Sequence, residues 1–350
     1  MGCGCNKYKK IESNFEITNE NIENVEDFQN DDNKLKSIIK IQRFIRSKQS
    51  KNKTLQIKQS ISNNNSLINT SRNQKGSKES TSRKLNIEIP QEEFDKLTKE
   101  YPPLNDGIIV SKNGPLIDKN TQSVYLGEWD FNKNLKHGRG IQYWSEGSKY
   151  YGYWLCGKAN IKGKLIHHDG DIYEGGWEND QPNGKGKYIH SDGTIYEGDW
   201  KNDKQHGKGK EIWPDGAWYE GDYLNGQKHG NGKFYWSDGS YYEGDFMNNN
   251  INGYGKYIFG DKRTYEGTWV NNKLDGKGVF SWPDGRKYEG EYKNDKKEGF
   301  GCFYWNNGKI YKGNWKNGKK HGEGEVYFPK EEKWKKGLWK DGERIKYFEQ

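Results

Sequence analysis

The chain has 350 residues, 30% of them hydrophobic and 31% charged, with a net charge of +8 and four cysteines. So few thiols exclude a disulfide-stapled secreted module, and the absence of an eighteen-residue apolar run or a secretory leader predicts cytosolic topology. Forty-five glycines beside fourteen tryptophans argue against a helical bundle, because each glycine costs a helix about 1 kcal/mol.

The first residues, Met1-Gly2-Cys3-Gly4-Cys5, resemble the start of dually acylated proteins. The resemblance implies Gly2 as the myristoyl acceptor and Cys3 and Cys5 as palmitoyl acceptors, with Asn6 standing where Ser or Thr is usual. Two acyl chains anchor stably where one holds only marginally, and Lys7, Lys9 and Lys10 add about 1 kcal/mol each on an anionic surface. With no His or further Cys nearby, Cys3 and Cys5 cannot complete a tetrahedral metal site. Charge then comes in blocks: residues 11–33 hold eight acids and no base, and residues 34–78 hold twelve Lys or Arg and no acid. The basicity of the chain therefore sits in a polar, Trp-free tail whose composition predicts disorder.

Residues 33–53 predict the one short helix of that tail. Leu35, Ile38, Ile41 or Gln42, and Ile45 recur at helical spacing, Asp31 to Asn33 offer an N-cap, and Lys36, Lys40, Arg43, Arg46 and Lys51 fill the other face. The segment resembles the IQ motif at Ile41, Gln42, Arg46 and Lys51, with Ser47 where Gly is customary. That resemblance implies a calmodulin-like partner, the apolar stripe in its groove and the bases on its acidic rim. A membrane surface, or a helix that is solvated or packed on the rest of the chain, fits the same residues. Residues 54–90, rich in Ser, Asn, Lys and Gln, read as a linker with phosphorylation candidates at Ser80, Thr81 and Ser82. Glu92 to Lys99 predict a short helix, ended by Pro102 and Pro103.

From Tyr150 onward, Tyr-x-Gly-x-aromatic returns every 23 residues, at Tyr173, Tyr196, Tyr219, Tyr242, Tyr265, Tyr288 and Tyr311. Irregular copies at Tyr125 and Trp334 bring the count to ten. A fixed short period marks a stacked array whose units lean on their neighbours and whose ends act as caps. Within Tyr196-Glu197-Gly198-Asp199-Trp200, alternation along a strand puts Tyr, Gly and Trp on one face and the two acids on the other. The same set recurs as Tyr173, Gly175 and Trp177; Tyr219 and Gly221; Tyr242 and Gly244; Tyr265, Gly267 and Trp269; Tyr288 and Gly290; and Tyr311, Gly313 and Trp315. The glycine is expected to admit an aromatic ring from an adjacent strand. Asp-Gly or Asn-Gly, as at Asp192-Gly193 and Asp215-Gly216, supplies a turn. Nearly every copy also carries a Gly-x-Gly, clearest at His206-Gly207-Lys208-Gly209. Tyr-Glu-Gly-x-Trp, then His-Gly-x-Gly, then Asp-Gly resembles the MORN repeat, over residues 125 to 342. The resemblance implies an all-β, elongated array of stacked antiparallel hairpins.

Catalysis finds no footing in these residues. Gly-x-Gly recurs in nearly every unit and lacks a P-loop's Lys-Ser/Thr and following helix, and His137, His206, His229 and His321 share one repeat position without the spacing of a metal site. The expectation is no enzyme, no cofactor and no metal; Cys156 and Cys302 read as small core fillers. Nucleic-acid binding is disfavoured because the charge around the rings is balanced. Five regions result: an acylation-like and acidic start (1–32), the basic helix (33–53), a linker and N-terminal cap region (54–124), the array (125–342) and a C-terminal end (343–350). One reading is a scaffold on the cytoplasmic face of a membrane, presenting the array to protein partners, holding an anionic surface through its tail and regulated by calmodulin. The alternatives are a component of a ciliary axoneme or cortical cytoskeleton, as the family resemblance also implies, and a phospholipid-binding array.

Overall fold

A computed structural model describes residues 91–108, 110–118 and 120–348. Among these the chain forms one helix, α1 (Gln91–Glu100), and twenty-one strands in a single sheet. Each strand pairs antiparallel with its predecessor and successor in sequence, as from β1 (Ser111–Ile117) to β2 (Val124–Asp130) to β3 (Leu135–Tyr143). The meander ends at β20 (Lys333–Lys340) and β21 (Glu343–Tyr347). The expected all-β array of hairpins is present, and α1 lies where Glu92 to Lys99 predicted a helix. The sheet begins before the first repeat, with β1 inside the segment read as linker and cap.

One unit shows how 23 residues make a hairpin. β8 (Ile195–Lys201) turns through Asn202 and Asp203 into β9 (Lys204–Ile212). Both turn residues have positive φ, 48° and 64°, the pattern of a type I′ turn, whose twist suits a hairpin and which Asn and Asp tolerate better than other side chains. The reversal through Trp213-Pro214-Asp215-Gly216-Ala217 then leads to β10 (Trp218–Leu224). Gly216 there takes φ +85°, as Asp-Gly predicts. The first turn was not signalled by a glycine, and it also ties repeats together: the Asn249 and Asn272 amides donate to Lys228 and Ile251 carbonyls, while their side-chain oxygens accept from the Lys228 and Ile251 amides at 2.8 and 2.7 Å.

The core is a row of tyrosines on one face of the sheet. Tyr150, Tyr173, Tyr196, Tyr219, Tyr242, Tyr265, Tyr288 and Tyr311 are at most 1% exposed. Each ring lies over two glycines facing one another across adjacent strands, such as Gly221 and Gly232. A methyl group on Gly221 would sit 2.5 Å from the Tyr219 oxygen and 2.6 Å from the Gly232 Cα. The glycine thus makes room for the tyrosine two residues before it on its own strand, not for a ring from an adjacent strand as expected. The register with the following strand shifts just after the glycine, where Gly230 and Asn231 are the extra residues, and the Tyr219 hydroxyl, lying over the glycine pair, donates to the Asp222 carbonyl at 3.0 Å; Tyr196 does the same for Asp199 at 2.9 Å.

Every tyrosine meets two rings edge to face. Tyr196 touches Trp200 in its own unit and Tyr223 in the next, both at 5.2 Å between centroids, and the pattern runs unbroken from Tyr125 with Trp154 to Tyr311 with Trp339. Such pairs contribute about 0.5–1.5 kcal/mol each beyond burial. Stability is therefore distributed along the ribbon, each unit resting on the ring its neighbour lends it.

Candidate functional site

The other face of the sheet is open, and it carries three parallel rows. The middle row alternates Glu and Lys across strands, with Lys210 to Glu220 and Lys233 to Glu243 each at 3.2 Å. A further row continues the alternation at Lys185 to Asp199 and Lys208 to Asp222, 2.7 and 2.6 Å. These pairs are half exposed, so each contributes at most a few tenths of a kcal/mol. Their consequence is an electrically balanced, polar surface.

The third row, beside the Asp-Gly turns, is apolar. Ile189 pairs with Ile195, Ile195 with Ile212, Ile212 with Trp218, and Trp218 with Tyr235. The row extends without a polar member from Ile166 to Ile258, and Ile212 and Tyr235 remain 41% and 36% exposed. Beyond Ile258 it changes to Thr264, Ser281 and Lys287. The edge next to it changes at the same point. The turns at Asp192, Asp215 and Asp238 contain no Lys or Arg, whereas Asp261 and Asp284 are held by Arg263 and Arg286 at 3.0 and 2.7 Å.

At the head of this face sits α1. Phe94, Leu97 and Tyr101 pack on Val124, Leu126, Ile141 and Tyr143, and of these Leu126 and Ile141 stand where most later repeats have Glu and Lys. Glu93 accepts hydrogen bonds from Tyr143 and Tyr151, the Tyr153 hydroxyl donates to the Pro102 carbonyl at 2.7 Å, and His137 meets Asp106 at 2.7 Å. Arg139 completes the cap, paired with Glu128 and donating to the Tyr101 carbonyl. The first repeats are therefore covered on both faces, as befits the end of an array.

Five ionisable side chains interrupt or border the core. Glu211, 4% exposed, accepts from Lys228 at 2.6 Å and from Tyr223 at 3.1 Å, while the Lys228 ammonium lies about 5 Å from the rings of Trp213 and Tyr219. Equivalent positions hold Tyr188, Phe234, Tyr257, Phe280 and Phe303 in place of Glu211, and Gln205, Ile251 and Leu274 in place of Lys228, while Lys297 and Lys320 keep the lysine. Lys136 lies against Tyr125 and Trp154 and burial pushes its ammonium down to about 8. Burial likewise raises the carboxyls of Asp180 and Asp295 above the usual range, against the lowering effect of the backbone amides they accept from.

The core residues read from sequence, from Tyr173, Gly175 and Trp177 to Tyr311, Gly313 and Trp315, all belong to the tyrosine row. Gly2, Cys3, Cys5, Ile41, Gln42, Arg46 and Lys51 lie outside the described residues. Cys156 is not a core filler: it is exposed at a type I′ turn with φ 49°. Cys302 is on the open face, half-buried, with its thiol pushed up by burial. Among the described residues no group of His, Cys, Asp or Glu is arranged to hold a metal, and no helix is long and apolar enough to cross a membrane. Sequence reasoning missed the apolar row and the Glu211–Lys228 pair. The row was visible as the residue before each repeat tyrosine, Ile172, Ile195, Trp218 and Tyr241.

A family model described as MORN repeat matches eight stretches, 125–149, 173–195, 196–218, 219–241, 242–262, 265–285, 288–310 and 311–331, about half of the chain. No curated protein matches it. Among solved structures, the wild-type TCP10 domain of Danio rerio CPAP is similar at 11% identity and TM-score 0.33, over 60% of this chain and 99% of that one. The TCP domain of Drosophila melanogaster SAS-4, solved with a proline-rich motif of Ana2, is similar at 12% identity and TM-score 0.28, over 50% of this chain and 86% of that one. Scores of that size carry no weight for fold or function.

Proposed function

The chain belongs to the MORN-repeat family, and we propose that it is a non-enzymatic scaffold tethered to the cytoplasmic face of a membrane, where its ribbon presents partner proteins with a stiff, ruler-like surface. The observation that supports this reading is the uninterrupted row of edge-to-face tyrosines, from Tyr125 to Trp339. It makes ten short hairpins into one sheet and leaves one face for other proteins. Gly2, Cys3 and Cys5, with the lysines that follow, supply the tether, and residues 33–53 receive a calmodulin-like protein through Ile41, Gln42, Arg46 and Lys51.

Membrane fractionation of the full-length protein tests the tether. The wild type should sediment with membranes and Gly2→Ala/Cys3→Ser/Cys5→Ser should become soluble. A triple variant still on membranes refutes acylation, and detergent-resistant retention of both would point to a cytoskeletal role. A tail-free comparison must start at residue 91, because Phe94 and Leu97 of α1 are buried in the cap. Ile41→Ala/Gln42→Ala should abolish capture on calmodulin, and unchanged capture removes that assignment.

A further inference from the structure

We propose that the apolar row from Ile166 to Ile258 is covered by the same row of a second copy of this chain, the two open faces packed about a two-fold axis that runs along the strands between β9 and β10. The inference needs neither the tether nor residues 33–53, and it assigns only the middle of the open face. A two-fold interface is self-complementary, each residue meeting one that meets it in return. Rotation about this axis sets each strand against the strand of the second copy that lies equally far on the other side. Three observations select this occupant. First, the charged rows match. Glu and Lys alternate from strand to strand, so an axis between two strands brings opposite charges together: Lys210 meets Glu220 of the second copy, Glu197 meets Lys233 and Lys187 meets Glu243. The outer charged row agrees, with Lys208 on Asp222 and Lys185 on Asp245. An axis through β9 itself would press Glu197 on Glu220 and Lys187 on Lys233, like-charge contacts that exclude that register.

Second, the apolar row is graded to suit this axis. It is aliphatic up to Ile212, and Trp218, Tyr235 and Tyr241 follow. The rotation lays Ile212 on Trp218, Ile195 on Tyr235 and Ile189 on Tyr241, a ring against a smaller side chain at each step. In the outer row Tyr254, 56% exposed, falls over Gly176, which has no side chain to obstruct it. Moving the axis one strand towards α1 would set Ile258 over Lys149, beside the cap. Moving it one strand the other way would set Ile189 over Thr264 and Ile172 over Ser281. Third, the area suffices. The ten strands from Lys158–Ile166 to Thr264–Val270, about 4.8 Å apart, span roughly 43 Å, and three rows two residues apart span roughly 14 Å, a footprint of roughly 600 Å² on each copy. The total, roughly 1,200 Å², is at the lower end of what specific interfaces bury, which makes the dimer a weak one, with a Kd on the order of 10 μM. Both sets of strands lie along the axis, the aligned arrangement of sheet on sheet.

Sedimentation equilibrium of the full-length protein, its thiols kept reduced, tests this. The wild type should dimerise reversibly, and Ile212→Asp, at a side chain 41% exposed, should raise the Kd by about tenfold or more while the sheet is kept. Lys233→Glu should weaken the dimer by about the same factor. Adding Glu197→Lys to it should restore association, although each substitution sets like charges side by side within its own chain. Only contact between residue 197 of one copy and residue 233 of the other gives that rescue. Within one chain the two positions are three strands apart, roughly 14 Å, so a zero-length carbodiimide link from Lys233 to Glu197 forms only between copies. In an equal mixture of nitrogen-15 and unlabelled protein, such links should join labelled to unlabelled peptide. A protein still monomeric at roughly 100 μM, absent Lys233–Glu197 links, a dimer indifferent to Ile212→Asp, or a double variant that stays dissociated overturns the proposal. A dimer broken by Ile345→Asp on the last strand but not by Ile212→Asp overturns it too, by placing the contact at the end of the ribbon. The scaffold reading is tested separately: loss of the tether or of calmodulin capture leaves the dimer standing, and a monomeric protein leaves the tether standing.

Discussion

Replacing Gly221 by alanine should disrupt the array locally and heavily, although glycine-to-alanine in a strand ordinarily stabilises by about 0.5–1 kcal/mol. The added carbon would lie 2.5 Å from the Tyr219 oxygen, 2.6 Å from the Gly232 Cα and 2.7 Å from the Asn231 carbonyl oxygen. Two of the three obstacles are backbone of the paired strand, so the ring must move. Overpacking of this kind costs about 1–3 kcal/mol, and expelling the ring strips the Asp222 carbonyl of its 3.0 Å hydrogen bond, a loss of roughly 1–3 kcal/mol. The sum, about 2–6 kcal/mol, falls mainly on one unit and its neighbours, because contacts in the ribbon reach no further. Hydrogen–deuterium exchange should show faster exchange over residues 195–247 with the distal repeats little changed. Gly216→Ala is the control: it meets no atom within 4 Å but has φ +85°, so only left-handed strain of about 1–2 kcal/mol applies. Equal effects of the two substitutions would refute the account of the glycine pair.

Tyr196→Phe should keep the ring contacts and lose only the bond to the Asp199 carbonyl, raising local exchange by about 1–3 kcal/mol in opening free energy. Glu211→Ala should cost about 3 kcal/mol by leaving Lys228 buried beside aromatic rings, whereas Glu211→Phe/Lys228→Ile, which gives this unit the Phe234 and Ile251 of the next one, should melt within about 1 kcal/mol of wild type; a double variant as unstable as the single would sink that reading. Asp180→Asn should raise the melting temperature at pH 7, because the folded state raises this carboxyl and so disfavours its ionised form, while Asn249 and Asn272 show that an amide makes the same bond. The folded-state penalty is present above the raised value and is relieved as pH falls towards the ordinary carboxyl range. The gain should therefore shrink in acid, and a gain unchanged down to pH 3 would count against the burial argument.

The 23-residue period, the face shared by Tyr, Gly and Trp, the Asp-Gly turns and the short helix before Pro102 were legible in the sequence because each depends on neighbours within a few residues: alternation along a strand, positive φ at glycine, a helix stopped by proline. Other features required the strands side by side. Which ring fills the space over Gly221 depended on the pairing that sets Gly232 opposite it and on the bond that holds the Tyr219 hydroxyl to the Asp222 carbonyl. That Cys156 is exposed depended on the type I′ turn beneath it. The partnership of Glu211 with Lys228, 17 residues apart, and the alignment of Ile195, Ile212 and Trp218 into one row arise from register. Local chemistry determined what each repeat is, because propensity and turn geometry act over short spans of chain. The order in which strands align determined the two faces of the ribbon, because pairing register brings together residues that the sequence holds apart.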